Sequence, residues 1–231
     1  MSQRDQILSV LHEAMKSSSA DQTELVFEGE SLGYTHIAES QIQQNLTRTD
    51  CSIVARAIVG KRIGIASTNR PTVEDVKQAI SDAIDISSFQ DPDDKFVSLP
   101  DSPKAKDIGA FFPSTADFSP VDRANAVWNM NKIAAKDGLI TAGAFRTFTD
   151  TVAVLNSLGT EQYFEGTKAE LSLTVSSENE RSGYAIAYDR DAGKINPGLV
   201  AETAVDKAVR SVNPISLPTG QYTVLLEPAA V

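Results

Sequence analysis

The chain has 231 residues, 31 acidic against 21 basic, for a net charge of -10; that length suits one large domain or two small ones at ~150 residues each. The acidic balance disfavours a phosphate-gathering surface and so argues against direct nucleic-acid binding, while no run reaches the ~18 apolar residues of a membrane helix. The amphipathic start carries Arg4, Asp5, His12 and Glu13 where a signal peptide would be apolar, and the single Cys51 excludes an internal disulfide and a multi-cysteine metal site, so a cytoplasmic protein is expected.

At the N-terminus Ile7, Leu8, Leu11, Ala14 and Met15 recur at helical spacing behind Ser2 and Asp5, which can cap the helix. From residue 24 to 68 the period changes to two. Ile53, Ala55, Ala57 and Val59 alternate with Ser52, Val54, Arg56 and Ile58, apolar enough on both sides for a largely covered sheet. Gly60-Lys61 then predicts a two-residue hairpin, with glycine supplying the positive φ of a type II′ turn. A Thr72/Asp75 pair caps a second predicted helix with the stripe Val73, Val76, Ala79, Ile80, Ala83 and Ile84.

Between Pro92 and Pro120 lie five of the ten prolines, mixed with Asp91, Asp93, Asp94, Asp101 and Asp107, a composition that opposes regular structure. Its Phe96, Leu99, Ile108, Phe111 and Phe112 predict that it lies across a surface. Ser119, Pro120 and Asp122 open a further helix along Ala124, Val127, Trp128 and Ile133, which Gly138 stops. Strands are predicted at residues 139–149, 151–156 and 167–175, the last alternating apolar and polar as in a sheet with one wet face, and at 182–191 with Tyr184, Ile186 and Tyr188 on one side. Asn196-Pro197 opens a last helix carrying Val200, Ala204, Ala208 and Val212. Residues 222–226 read as a strand followed by an apolar tail, from which we expect the natural polypeptide to continue. The expected organisation is an α/β subdomain at 1–90, a linker or lid at 91–118 and a second α/β subdomain at 119–231. The fold class is α+β, with mixed, largely antiparallel sheets packed against helices.

Two histidines allow an exhaustive check of histidine chemistry. His12-Glu13 begins like a zinc-protease helix, but Lys16 and Ser17 occupy the positions where HExxH and HExxxH need the second histidine. Nothing in the sequence brings His36 to Cys51 as base and nucleophile. Gly60-Lys61 lacks the other residues of a phosphate loop, and Asp91, Asp93 and Asp94 lack the glycine of a calcium loop and are interrupted by Pro92. The pairs Glu178/Glu180 and Asp189/Asp191 are alternate strand residues at loop ends, where carboxylates stay wet and keep similar pKa values. No catalytic or metal residue is assigned.

Three stretches, residues 26–30 with 42–45 and 53–69, residues 156–159 with 167–175 and 182–184, and residues 208–231, together resemble the TldD/PmbA family, metallopeptidase-related proteins long labelled modulators of DNA gyrase. The resemblance implies a TldD/PmbA N-terminal-domain-like fold and the N-terminal half of a larger subunit that degrades or processes unfolded peptides. It implies no cofactor in this chain, and zinc in the missing C-terminal half if the protein is TldD-like. The chain alone is expected to be inactive. Its implied partners are an identical or sister TldD/PmbA-type subunit in a dimer and an unfolded peptide substrate, without nucleic acid or membrane. A non-catalytic PmbA-like partner or binding module, including a gyrase modulator, is the alternative. Arg56, Asn156, Ser157 and Gly159 match family positions as a candidate peptide groove or as structural motifs. The structural reading is preferred, since an Asn-Ser-x-Gly run makes an ordinary turn.

Overall fold

The computed structural model describes residues 2–101, 106, 108–177, 181–227 and 230. Its elements are α1 (Gln3–Met15), β1 (Gln22–Ala38), β2 (Gln41–Val59), β3 (Arg62–Thr68), α2 (Val73–Ser87), the single turn α3 (Pro113–Ala116), α4 (Pro120–Ala135), β4 (Ile140–Asn156), β5 (Glu161–Ser176), β6 (Ser182–Asp189) and α5 (Pro197–Arg210). The strands form one sheet in the order β3-β2-β1-β4-β5-β6, an α+β architecture. A succession of helix, three strands and helix therefore occurs twice along the chain. Two compact units emerge, one from residues 1–31, 49–110 and 149–166, the other from 32–48, 111–148 and 167–231. Among the described residues no helix is long and apolar enough to cross a membrane.

The first unit is built on α1 and α2. Ser2 caps α1 in a reciprocal box with Asp5, and Thr72 caps α2 by accepting from the Asp75 amide; each such cap contributes about 1 kcal/mol. Leu8, Leu11 and Ala14 from α1 and Val76, Ala79, Ile80 and Ala83 from α2 form one cluster with Leu25, Phe27, Ile53, Ala55 and Ala57. Fully burying a leucine or isoleucine contributes roughly 1.5–3 kcal/mol, so this cluster, more than helix propensity, holds the unit together. Among the residues predicted as linker, Leu99 is buried and its amide donates to Gln22 Oε1 at 2.8 Å.

In the second unit α4 and α5 cover the apolar face of Ala169, Leu171, Leu173 and Val175 on β5 and of Ala185 on β6. Ser119 and Asp122 form the same reciprocal box at the start of α4. The largest fully buried side chain is Arg123. Its guanidinium donates to Thr35 Oγ1 at 3.0 Å, to the Phe118 carbonyl at 2.9 Å, and to Asn45 Oδ1 and the Leu46 carbonyl at 3.4 and 3.3 Å. Burial pushes its pKa down, and these neutral acceptors replace the water it has lost.

The structure revises several local expectations. Gly60 and Lys61 both have positive φ, 54° and 65°, so the β2–β3 turn is type I′ instead of II′. It pairs Val59 with Arg62. A second hairpin, between β1 and β2, went unpredicted because its turn residues, Glu39 (φ 51°) and Ser40 (φ 58°), include no glycine. Trp128 is not on the buried stripe of α4; it is 63% exposed with Lys132 Nζ 3.8 Å from its ring centroid. The buried stripe is Arg123, Ala126, Val127, Met130 and Ala134. The two strands predicted over 139–156 are the single strand β4. Residues 222–226 form no strand; they have no ladder partner among the described residues, and Leu225 is fully exposed. Val59 and Val212 also face solvent. Pro103 and Asp107 in the predicted linker, and Pro228, Ala229 and Val231 in the apolar tail, lie outside the described residues.

Candidate functional site

The four residues singled out in the sequence all fall in the first unit. Arg56 lies on β2 with Nη1 3.2 Å from Glu24 Oε1, an ion pair whose carboxylate is nearly buried while the arginine is largely exposed. Asn156 ends β4 and is 4% exposed. Its Oδ1 accepts from the Leu158 and Thr160 amides, both at 3.0 Å, and its Nδ2 donates to the Pro100 carbonyl at 2.7 Å. Ser157 exchanges two bonds with Thr23, its amide donating to the Thr23 carbonyl at 2.9 Å and its Oγ accepting from the Thr23 amide at 3.0 Å. Gly159 has φ 98°, a conformation open chiefly to glycine. The Asn-Ser-x-Gly turn thus joins the β4–β5 hairpin to the beginning of β1 and to residue 100. Both side-chain heavy atoms of Asn156 bond to backbone.

Among the described residues, the histidines and the cysteine are each engaged apart from one another. His12 Nε2 pairs with Glu161 Oε2 at 2.8 Å, His36 stacks on Tyr34 with ring centroids 6.2 Å apart, and Cys51 Sγ donates to the Asn69 carbonyl at 3.4 Å. Burial, with Asp50 beside it, pushes the Cys51 thiol up, so the thiolate needed for ligation or attack is disfavoured. Among the described residues no three histidine, cysteine, aspartate or glutamate side chains gather to hold an ion. Glu178 and Glu180 lie outside the described residues. Asp191 accepts from Ser114 Oγ and from the Gly193 amide, which hold its carboxyl below the usual range. Asp189 bonds the Asp191 amide at 2.9 Å. That pair organises a turn.

What the second unit does offer is a groove. β6 is an outermost strand, paired only with β5, so its other side presents backbone N–H and C=O groups without a strand partner among the described residues. Beside it, α5 lies close because β6 has glycine at residue 183: a Cβ there would overlap the Ala204 carbonyl oxygen and sit 2.6 Å from the Ala208 nitrogen. Along one side of α5, Leu199, Thr203 and Lys207 recur every four residues and form the helical wall. Tyr184, Ile186 and Tyr188 with the intervening alanines form the strand wall, and the cavity between measures about 590 Å³.

Tyr184 is 43% and Tyr188 66% exposed, large aromatic surfaces left in water. Burial, followed by the nearby Tyr188 and Glu170, pushes the Tyr184 hydroxyl pKa up, so it stays a neutral donor. Lys207 lies at one end, its Nζ 2.7 Å from Glu227 Oε2, and that carboxylate also lines the cavity. The strand wall was legible in the alternation of residues 184–188. The helical wall stands in a period of four, but Thr203 and Lys207 look like ordinary solvated positions in sequence, and Glu227 gives no signal at 20 residues' distance from Lys207.

Two family models match this chain: PmbA/TldA metallopeptidase domain 1 over residues 23–87 and the PmbA/TldA metallopeptidase central domain over residues 117–212. No curated protein sequence matches it. Among solved structures it is similar to TldE from Thermococcus kodakarensis, with a TM-score of 0.78 and 22% identity, over 90% of this chain and 48% of that one. It is also similar to a candidate modulator of a DNA gyrase from Thermotoga maritima, with a TM-score of 0.77 and 12% identity, over 95% of this chain and 50% of that one. A third, a candidate modulator of DNA gyrase from Bacteroides thetaiotaomicron, gives a TM-score of 0.73 and 15% identity, over 95% and 52%. The chain therefore spans about half the length of these solved relatives.

Proposed function

The chain belongs to the PmbA/TldD metallopeptidase family, and from that premise we propose that it is the substrate-holding, metal-free portion of a TldD/PmbA-type peptidase subunit. The observation that carries this reading is the free edge of β6 beside α5. An extended peptide added there gains main-chain hydrogen bonds whatever its sequence, which suits a protein that handles unfolded chains. Tyr184 and Tyr188 supply broad apolar contact at low entropic cost.

Cleavage is assigned to residues outside this chain, with zinc supplied there in a TldD-like subunit, and the working assembly is a dimer with an identical or sister subunit. Arg56, Asn156, Ser157 and Gly159 are given structural roles. A second reading is a partner subunit that is non-catalytic even in its complete form. Contact with gyrase, if it occurs, is then between proteins, since the charge of -10 opposes DNA.

The test is peptide binding and cleavage by this chain. A labelled unfolded peptide is expected to raise its fluorescence anisotropy on addition of the protein and to remain intact, and Tyr184→Ala/Tyr188→Ala is expected to weaken binding about tenfold or more, the loss of two aromatic contacts. Chelator-sensitive cleavage by the chain alone, or binding indifferent to both tyrosines, would contradict the assignment.

A further inference from the structure

The groove beside β6 is apolar along most of its length and carries one cation, Lys207, on its helical wall. That side chain is 31% exposed, and its ammonium is engaged by a carboxylate delivered from the same chain, Glu227, at 2.7 Å. Glu227 arrives on residues 221–227, which have no regular structure and leave Tyr222, Val224 and Leu225 half to fully exposed. Among the described residues no hydrogen-bonded ladder joins the segment, and its backbone and ring contacts are local: the Tyr222 hydroxyl donates to the Pro218 carbonyl at 2.6 Å and the Ala230 amide to the Glu227 carbonyl at 2.8 Å.

The neighbouring cavity at the Gly183 end of β6, about 350 Å³, is lined by the same Lys207 and Glu227. A carboxylate therefore already occupies the charged position where the two cavities meet, and an exposed ion pair of this kind costs little to release.

We propose that the β6–α5 groove selects extended peptides bearing a carboxylate, an acidic side chain or the terminal carboxyl, which pairs with Lys207 in place of Glu227. This rests on the peptide-holding reading above and adds its chemical selectivity. Glu227 acts as a tethered competitor: with it in place, peptides lacking a carboxylate gain nothing by displacing it, whereas acidic ones exchange one charge-assisted hydrogen bond for another.

Four measurements on the full chain separate the possibilities. The probe is a fluorescent decapeptide of alternating valine and serine with one internal glutamate, alongside its glutamine counterpart, both with amidated ends; a third carries a free terminal carboxyl. The ratio of affinities for the glutamate and glutamine peptides is read for the wild type, Glu227→Gln and Lys207→Met. Removing the competitor is expected to raise that ratio by about fivefold, and Lys207→Met is expected to bring it to unity. The charge reversal Lys207→Glu, checked for folding by circular dichroism, is expected to invert the preference, so that the glutamine peptide binds more tightly than the glutamate one.

If peptides bind and protect the β6 amides but the ratio is unity in the wild type and unmoved in both variants, the selectivity is overturned while the groove stands. If no peptide binds to any form, the groove reading falls and this inference with it. The third probe assigns the source: gain with a free terminal carboxyl alone identifies the terminus, and gain with glutamate identifies the side chain, either of which supports the proposal.

Discussion

Asn156 ties its own turn to the backbone at residue 100 from a buried position. Its side chain accepts from two amides of its own turn and donates to the carbonyl of Pro100. Asn156→Ala leaves those groups without partners in a buried site, at about 1–3 kcal/mol for each that water cannot reach, so a loss of roughly 3 kcal/mol in denaturant unfolding is expected. Asn156→Asp keeps both acceptor bonds but sets a carboxylate against the Pro100 carbonyl, and is expected to recover only part of that loss. Cys51 gives a second test at this scale. Because its pKa lies above the ordinary thiol value, the protonated form dominates at neutral pH. Its alkylation by iodoacetamide is expected to be slower than that of an unstructured cysteine peptide at pH 8 and to rise with pH to a midpoint above the peptide's; equal rates would contradict the burial argument. The turn was legible from Asn-Ser-x-Gly, because asparagine and glycine have few other reasons to be so spaced. Arg123 was not: an arginine in the first turn of an amphipathic helix reads as solvated, and only the acceptors brought in by Thr35, Asn45 and Phe118 make its burial tolerable.

Each repeat of helix, three strands and helix packs its last helix on its last strand at a glycine. A Cβ on Gly64 would overlap the Ala83 carbonyl oxygen and crowd the Ser87 nitrogen at 2.6 Å, as one on Gly183 does with Ala204 and Ala208. Gly64→Ala and Gly183→Ala are each expected to destabilise by about 1–3 kcal/mol, the range for overpacking. Gly183→Ala should also reduce peptide binding, whereas Gly64→Ala should not, a split that an unfolding curve and a binding curve read together.

The β1–β2 hairpin offers the opposite sign. Glu39 holds φ 51° without the side chain suited to it, so Glu39→Asn is expected to raise stability by about 0.5–1 kcal/mol, visible as a higher melting temperature. Most elements were legible here because their periods and caps agree: Ser2/Asp5, Thr72/Asp75 and Ser119/Asp122 each mark a helix start that the structure places at the next residue. The hairpin at Glu39-Ser40 was hidden because tertiary bonds, the Ser40 amide to the Thr141 carbonyl at 3.0 Å and Asn131 Nδ2 to the Ser40 carbonyl at 2.7 Å, hold a turn that its own residues do not favour. Residues 222–226 mislead for the reverse reason, having strand propensity but no ladder to join.

For the whole molecule, sequence order and compactness divide the chain differently. The family models match two consecutive stretches, 23–87 and 117–212, yet each compact unit draws on three separated stretches because β1, β2, β4 and β5 contribute to both. Strand periodicity shows that a residue is extended but carries no mark of where along a 17- or 19-residue strand one core gives way to the next. The groove was half legible on the same grounds: the exposed tyrosines of β6 stand in the alternation, but its position at the end of the sheet is a property of topology. Peptide holding depends on that edge. Hydrogen–deuterium exchange of the chain with and without a saturating unfolded peptide tests it most directly. Slowed exchange at alternate amides of residues 183–188, where the ladder to β5 leaves one side open, is predicted; unchanged exchange there, with protection only at residues 62–68 of the opposite edge, would contradict it.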